Sequence, residues 1–355
     1  MFLAWKEIKH SKAKFSLIIS VVVLVSYLVY FLTSLAYGLA SSYTNGINKW
    51  KADQIVLTVD SNNNVMMSFM DIDDYNSIDV PDGEKAKLGL FPAVIKDADT
   101  SNTKDTREEI YVFGIEDDSF IAPKEVPSVG LLDNEIVADS SLKDLGYAID
   151  DYVTVAGTTL EWKIVAFTEK ATYQTAPILY ANLDTWKELR YTSIPSEVFS
   201  AVVVNGAAST SAETLQIYSI SQFINNLPGY NAQVATFSIM IGFLIVIVAF
   251  VLGIFIYVLT IQKTSMFGVM KAQGISNLFI GNSVVSQTII ITGIGVVIGL
   301  ILTLVTGFFL GGFVPFAINP LFYVGITAAF FLFSILGGLF SVKAVLKIDP
   351  LRAIG

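Results

Sequence analysis

The sequence predicts an α-helical membrane protein with four transmembrane helices and one large extracytoplasmic mixed α/β domain, and three observations lead there. Apolar residues, 53% of the 355, are gathered into long blocks, where a soluble chain of this size spreads them through its core. Charge is partitioned as well: 29 acidic and 13 basic residues fall between Gly38 and Val234, while the rest of the chain holds 9 basic residues and only Glu7 and Asp349 on the acidic side. Between the first and second apolar blocks the pattern changes to short alternating runs separated by turn signals, which suits strands.

The blocks cover residues 15–39, 237–261, 284–312 and 321–342. Crossing ~30 Å of hydrocarbon takes about 20 apolar helical residues, and a backbone in hydrocarbon satisfies its own hydrogen bonds as a helix. Lys6, Lys9, Lys12 and Lys14 precede the first block, as in a signal peptide. Its length and the run through Tyr27, Tyr30 and Phe31 without a small-residue cleavage pattern predict that it is retained. Positive residues near span ends stay inside. Residues 1–14, the 262–283 loop and the 343–355 tail are therefore expected in the cytoplasm, and 40–234 outside, in the cell membrane.

The chain's net charge of −9 is set by the acidic external domain and excludes nucleic acid as a partner. The chain has no cysteine, hence no disulfide framework, thiol nucleophile or thiolate metal site, and the external domain must hold by packing. Residues 54–59, 109–114, 135–138, 152–156, 162–167 and 198–204 read as strands; 139–145, 183–189 and 212–227 have helical spacing. Asp117, Asp118 and the acidic residues at 71–74 lack the glycine and terminal Glu of a calcium loop and read as solvated turns.

Enzymatic roles are excluded one by one. No Gly-x-x-x-x-Gly-Lys-Ser/Thr segment is present, so ATP and its magnesium belong to a partner. The single histidine, His10, lies in the cytoplasmic leader, which removes His-based catalysis or an all-His metal site outside. Charged residues are nearly absent from the spans, unlike in ion-coupled carriers.

After the second block, Lys263-Thr-Ser-Met-Phe-Gly-Val-Met-Lys-Ala-Gln-Gly-Ile-Ser276 combines a helical apolar pattern with Gly268 and Gly274 and has the look of a docking element. The order of one span, a large external domain and three spans resembles the permeases of FtsX/MacB-like ABC exporters. Their loop pattern of Arg-x-x-Glu, apolar-Gly and Lys/Arg-Ala-x-Gly-Ala/Ile-Ser is matched by Lys263, Met266, Phe267-Gly268 and Lys271-Ala-Gln-Gly274-Ile-Ser276, with Met266 in the acidic position. The family's closing Ala-x-x-x-(Ile/Leu)-(Asp/Asn)-Pro is matched by Ala344, Ile348, Asp349 and Pro350, where Asp349 can cap a following helix. Leu3, Trp5 and Ile8 resemble its amphipathic lead-in helix.

Thr168-Glu-Lys-Ala-Thr-Tyr173-Gln-Thr-Ala-Pro177-Ile-Leu-Tyr180 is similar to the hemin-efflux (HrtB-like) permeases, with Gln174 where they often carry His. The resemblance implies a homodimer in membrane lipid, two copies of a cytosolic ABC ATPase, coupling through Met266, Phe267, Gly268, Lys271 and Gly274, and export of an amphipathic compound, heme foremost. Export or sensing of antimicrobial peptides or lipids, or signal transmission to an external partner, is the alternative. Gly293, Gly295 and Gly299 suit close helix packing, either between two copies or within one chain. Heme iron here must use Tyr, Met or carboxylate. Tyr173 and Tyr230 lead, Tyr37 and Met240 line the same entrance or serve as membrane-interface residues, and Lys170 is placed to receive a propionate.

The charge partition is directly testable. A reporter fused after Gly355 should lie inside, and protease added to intact protoplasts should cut the polar stretch 97–108; protection of that stretch would overturn the orientation.

Overall fold

The computed structural model describes residues 12–98, 107–191, 197–310 and 314–346. The expected lead-in helix and the C-terminal cap at Asp349 lie outside these residues, as does most of the 97–108 stretch. The chain divides into two compact units, Leu39–Gln233 and Met1–Gly38 with Val234–Gly355.

Helix α1, Lys12–Lys49, is uninterrupted and outlasts its apolar block by ten residues. Strand β1 (Gln54–Thr58) follows, then a short helix α2 (Ile72–Ser77). Asp71 caps α2 by accepting from the amides of Asp73 and Asp74, and Asp74 reaches back to the Asp71 amide. The acidic group at 71–74 is thus a capping box.

The strands that follow are β2 (Glu84–Asp97), β3 (Glu108–Ile115), β4 (Glu135–Asp139), β5 (Tyr152–Val155), β6 (Glu161–Thr168), β7 (Thr172–Tyr173), β8 (Ala176–Asn182), β9 (Ala201–Asn205) and β10 (Leu215–Ser219). Helix α3, Leu183–Arg190, follows β8, and α4, Ile220–Asn226, follows β10. The sheet runs β10-β1-β9-β2-β3-β8-β4-β6-β5, with β7 paired to β8. It closes on itself because β2 pairs with β9 over its first residues and with β5 at Ile95–Asp97. Alternation sorts the core: Val112, Ile136, Ala138, Leu179 and Trp162 pack with Trp186 of α3, whereas Phe113, Val137, Ile178 and Tyr180 pack with Ile47 and Trp50 from α1. Gly89 and Gly114, directly paired across β2 and β3, leave room for the Trp186 ring, which any side chain there would strike.

Three sequence readings need correction. The 212–227 stretch is not one helix: 215–219 is the edge strand β10 along β1, and helix begins only after Ser219, which forms a capping box with Gln222. Pairing along the sheet edge outweighs a helical spacing that the residues also satisfy. The 139–145 stretch is a single 3-10 turn, Ser140–Lys143. The 198–204 run splits at Ser200, with Val198–Phe199 pairing to Met70–Asp71 and β9 entering the main sheet. Buried Ser200 accepts from the Leu90 amide and the Arg190 guanidinium.

The second unit holds α5 (Tyr230–Ile261) from Val234 onward, α6 (Thr264–Ala272), α7 (Asn277–Leu310) and α8 (Pro320–Leu346). Together with α1, the helices α5, α7 and α8 are long and apolar enough to cross a membrane. Lipid supplies no hydrophobic drive between helices, so small residues and hydroxyl pairs join them. Tyr30 pairs with Thr327 at 2.6 Å, Ser34 with Tyr323 at 2.6 Å, and Thr292 with Ser334 at 2.7 Å. Gly295 lies against Val22, and Gly299 against Ser26 and the Tyr27 backbone. Of the two readings for these glycines, the structure shows packing within one chain.

A Cβ at Gly299 would stand 2.9 Å from the Tyr27 nitrogen, while one at Gly325 would meet nothing. Gly299→Val should therefore cost ~1–3 kcal/mol by overpacking, seen as a lower midpoint in detergent-mediated unfolding. Gly325→Ala should leave the midpoint in place.

Candidate functional site

The stretch around Tyr173 folds as a hairpin. β7 and β8 pair Tyr173 with Ala176, leaving Gln174 and Thr175 as the two-residue turn, at φ 49° and 74°. Two left-handed residues in succession match the twist of a tight hairpin, yet neither is glycine and Thr175 is β-branched, a rare combination. External contacts hold it: the Gln174 amide donates to the Tyr43 carbonyl at 3.1 Å and the Thr175 amide to the Ser42 carbonyl at 3.2 Å.

Tyr173 is 2% exposed. Its ring meets Tyr111 at 4.9 Å and Phe113 at 5.7 Å, both edge-on. Burial pushes its phenol pKa well up, against a smaller lowering by the Gln174 side chain. Tyr111 is half-buried and donates from its hydroxyl to the Gln174 side-chain oxygen at 3.1 Å; burial raises its pKa as well. Tyr230 is half-buried, with its ring 6.0 Å from that of Tyr43. The same core therefore gathers Tyr173, Tyr111 and Tyr230, with Tyr43 joining through the turn and its ring contact.

Sequence reasoning named Tyr173 and Tyr230 but missed Tyr43 and Tyr111. Tyr111 is brought in by the parallel register that sets it beside Ile178. Tyr43 is brought in by the extension of α1 past its apolar block, and neither event has a local signal. Lys170 is exposed at φ 53°, in the turn before β7.

In the other unit Tyr37 is half-buried, edge-on to Phe322 at 5.6 Å. Met240 is half-buried in the third turn of α5. On α6 the expected coupling residues divide by face. Phe267 and Gly268 are buried, Phe267 against Ile280 and Val284 of α7, while Met266 and Val269 are exposed and Lys271 is half-buried. Lys263, just before α6, donates to Gln287 of α7 at 2.9 Å and lies 5.3 Å from the Phe15 ring centre. The helix ends at Gly274, φ 85°, where the Ile275 amide bonds to the Met270 carbonyl and the Gly274 amide to that of Lys271. This is a Schellman ending, sealed by the apolar contact of Ile275 and Met270 with the Phe267 cluster.

Residues 238–350 match the family model described as FtsX-like permease C-terminal. Along its whole length the chain is similar to proteins whose assigned name is hemin transport system permease protein HrtB. It is 26% identical to that of Staphylococcus haemolyticus over 358 residues, and 28% identical to one from Staphylococcus epidermidis over 365 residues. Both alignments cover all of this chain and 99% of the relative.

The Schellman ending makes a specific demand at Gly274. A side chain there meets open space, so only the backbone conformation resists it. Gly274→Val should destabilise the end of α6 by roughly 1–3 kcal/mol, read as faster amide exchange at Gln273–Ile275. Gly274→Asn, which tolerates the left-handed region, should recover most of the protection.

Proposed function

Starting from an FtsX-like permease domain and a likeness to hemin-transport permeases along the whole chain, we propose that this protein is the membrane subunit of an ABC-type exporter that expels hemin. The cluster of Tyr43, Tyr111, Tyr173 and Tyr230 carries the reading. A chain with no cysteine and a single histidine offers iron little but phenols, methionine and carboxylates, and four phenols converge here. Tyr230, half-buried, is the reachable ligand, and Tyr173 joins only when its hairpin is uncovered. Exposed Lys170 receives a propionate.

Energy comes from a cytosolic ATPase, two copies on a permease homodimer in the cell membrane, with both termini of each permease inside. ATP-driven closure presses on the outward residues Met266 and Val269 of α6, with Lys271 beside them. Phe267 and the Lys263–Gln287 bond hand that displacement to α7. From α7 it reaches α1 through the Gly295–Gly299 seam and α8 through Thr292–Ser334. Met266, in place of an acidic residue, makes the ATPase contact apolar.

The test is to purify the wild type and a Tyr173→Phe/Tyr230→Phe variant, titrate both with hemin, and compare absorbance spectra and cellular hemin tolerance. The variant should lose the phenolate-to-iron band and bind about tenfold more weakly, ~1.4 kcal/mol. An unchanged spectrum with unchanged tolerance removes these phenols from the site, and a wild type that binds no hemin refutes the substrate.

A further inference from the structure

Residues 168–176 lie along one face of the last two turns of α1, and the contacts follow the chain in order. Lys49 donates through Nζ to the Thr168 hydroxyl at 2.5 Å and to the Glu169 carbonyl at 2.8 Å. Asn45 donates to the Thr172 hydroxyl at 3.1 Å, and the carbonyls of Tyr43 and Ser42 receive the amides of Gln174 and Thr175. Ser42, Asn45, Gly46 and Lys49 share one helical face by their spacing. Gly46 completes it, because a Cβ there would stand 3.1 Å from the Thr172 carbonyl and strike the Ile178 side chain.

From the opposite side Asp139, 2% exposed, accepts the Ala171 amide at 2.6 Å while also capping the 3-10 turn through the Ser141 amide at 2.9 Å. Three residues of the strap, Lys170, Gln174 and Thr175, hold positive φ without being glycine. Such backbone persists only where surrounding contacts over-determine it, and these contacts do so.

We propose that residues 168–176 are a clasp that fixes the end of α1 to the β7–β8 hairpin, with Lys49 as its positioning residue. The last two turns of α1 and the Tyr173–Ala176 hairpin then move as one body. Tyr173 is held shut by the same clasp, so a displacement of the end of α1 acts on that phenol directly. The clasp is independent of which compound is carried.

The absence of cysteine allows clean labelling. Spin labels at Asn48→Cys and Lys170→Cys, both exposed positions, in the full chain in lipid nanodiscs should show one narrow distance distribution. Adding Lys49→Met should broaden it and raise amide exchange at Gln174 and Thr175 at least tenfold, leaving the β3–β8 ladder protected. Lys49→Arg, which keeps the charge and the donors, should restore both. A broad distribution in the Lys49 protein, or no change on Lys49→Met, overturns the clasp. If Lys49→Met also strips protection from the β3–β8 ladder, Asn45→Ala is read instead: exchange rising only at 172–175 supports the clasp, and no rise overturns it. Failure of hemin binding would sink the substrate reading and leave these readouts untouched.

Discussion

A helix of 38 residues is about 57 Å long at 1.5 Å per residue, nearly twice the thickness of the hydrocarbon it crosses. The excess has to be accommodated, and α1 does so by changing character along its length. Up to Gly38 it presents Val22, Ser26, Tyr30 and Ser34 to α7 and α8. Beyond that, Ser42, Asn45, Gly46 and Lys49 face the 168–176 strap, and Ile47 and Trp50 fill the core of the α/β domain. A break anywhere in this helix would leave backbone groups unpaired in lipid or detach the domain's core from its anchor.

Each unit is held together internally by its own physics. In the α/β domain, alternating strands bury large aromatic and branched residues on both sides of a closed sheet, and water outside drives that burial. Among the long helices that drive is absent, and the joints are hydroxyl pairs and glycine contacts worth a fraction of a kcal/mol to about 2 kcal/mol each. Joints of that size break and re-form at small cost. Helix α5 is the extreme case: its buried residues are Val248, Leu252, Ile256 and Thr260, one per turn, and its remaining faces offer Phe243, Phe250, Ile254 and Tyr257 to whatever surrounds the chain.

The membrane helices were legible because a long apolar block admits one solution in lipid, though their ends were not: α1, α5 and α7 all extend beyond the blocks into polar sequence. Strand β2, the longest and the one that closes the sheet, escaped notice. Gly89 and Pro92 interrupt its pattern, and its partners at 108–115, 152–155 and 201–205 are supplied by tertiary structure. The reverse error occurred at 215–219, where Leu215 and Tyr218 fit a helical stripe as well as a strand. For the phenol cluster, Tyr-x-x-x-Pro marks the segment that folds as the β7–β8 hairpin, but no pattern in one strand reveals which residue lies across from it. Tyr111 and Tyr43 join that cluster by register and by helix length.

On the proposed hemin reading, burial also decides how the phenols divide their work. A phenolate binds ferric iron, and forming one means losing a proton, which becomes harder as water is removed from around the oxygen. Tyr173, enclosed by Tyr111, Phe113 and the Gln174 side chain, has its pKa pushed far up and stays a neutral packing residue while the hairpin is closed. Tyr230 stands beside Tyr43 with part of its ring in the open. On the proposed hemin reading, a ligand arriving at a closed hairpin meets Tyr230 first, and recruiting Tyr173 requires breaking the amide contacts of Gln174 and Thr175 with α1. The positive φ of those two residues favours that opening, since releasing the turn also releases its strain. On the same reading, capture and release of a flat, iron-bearing ligand are set by whether the hairpin stays fastened to the end of α1.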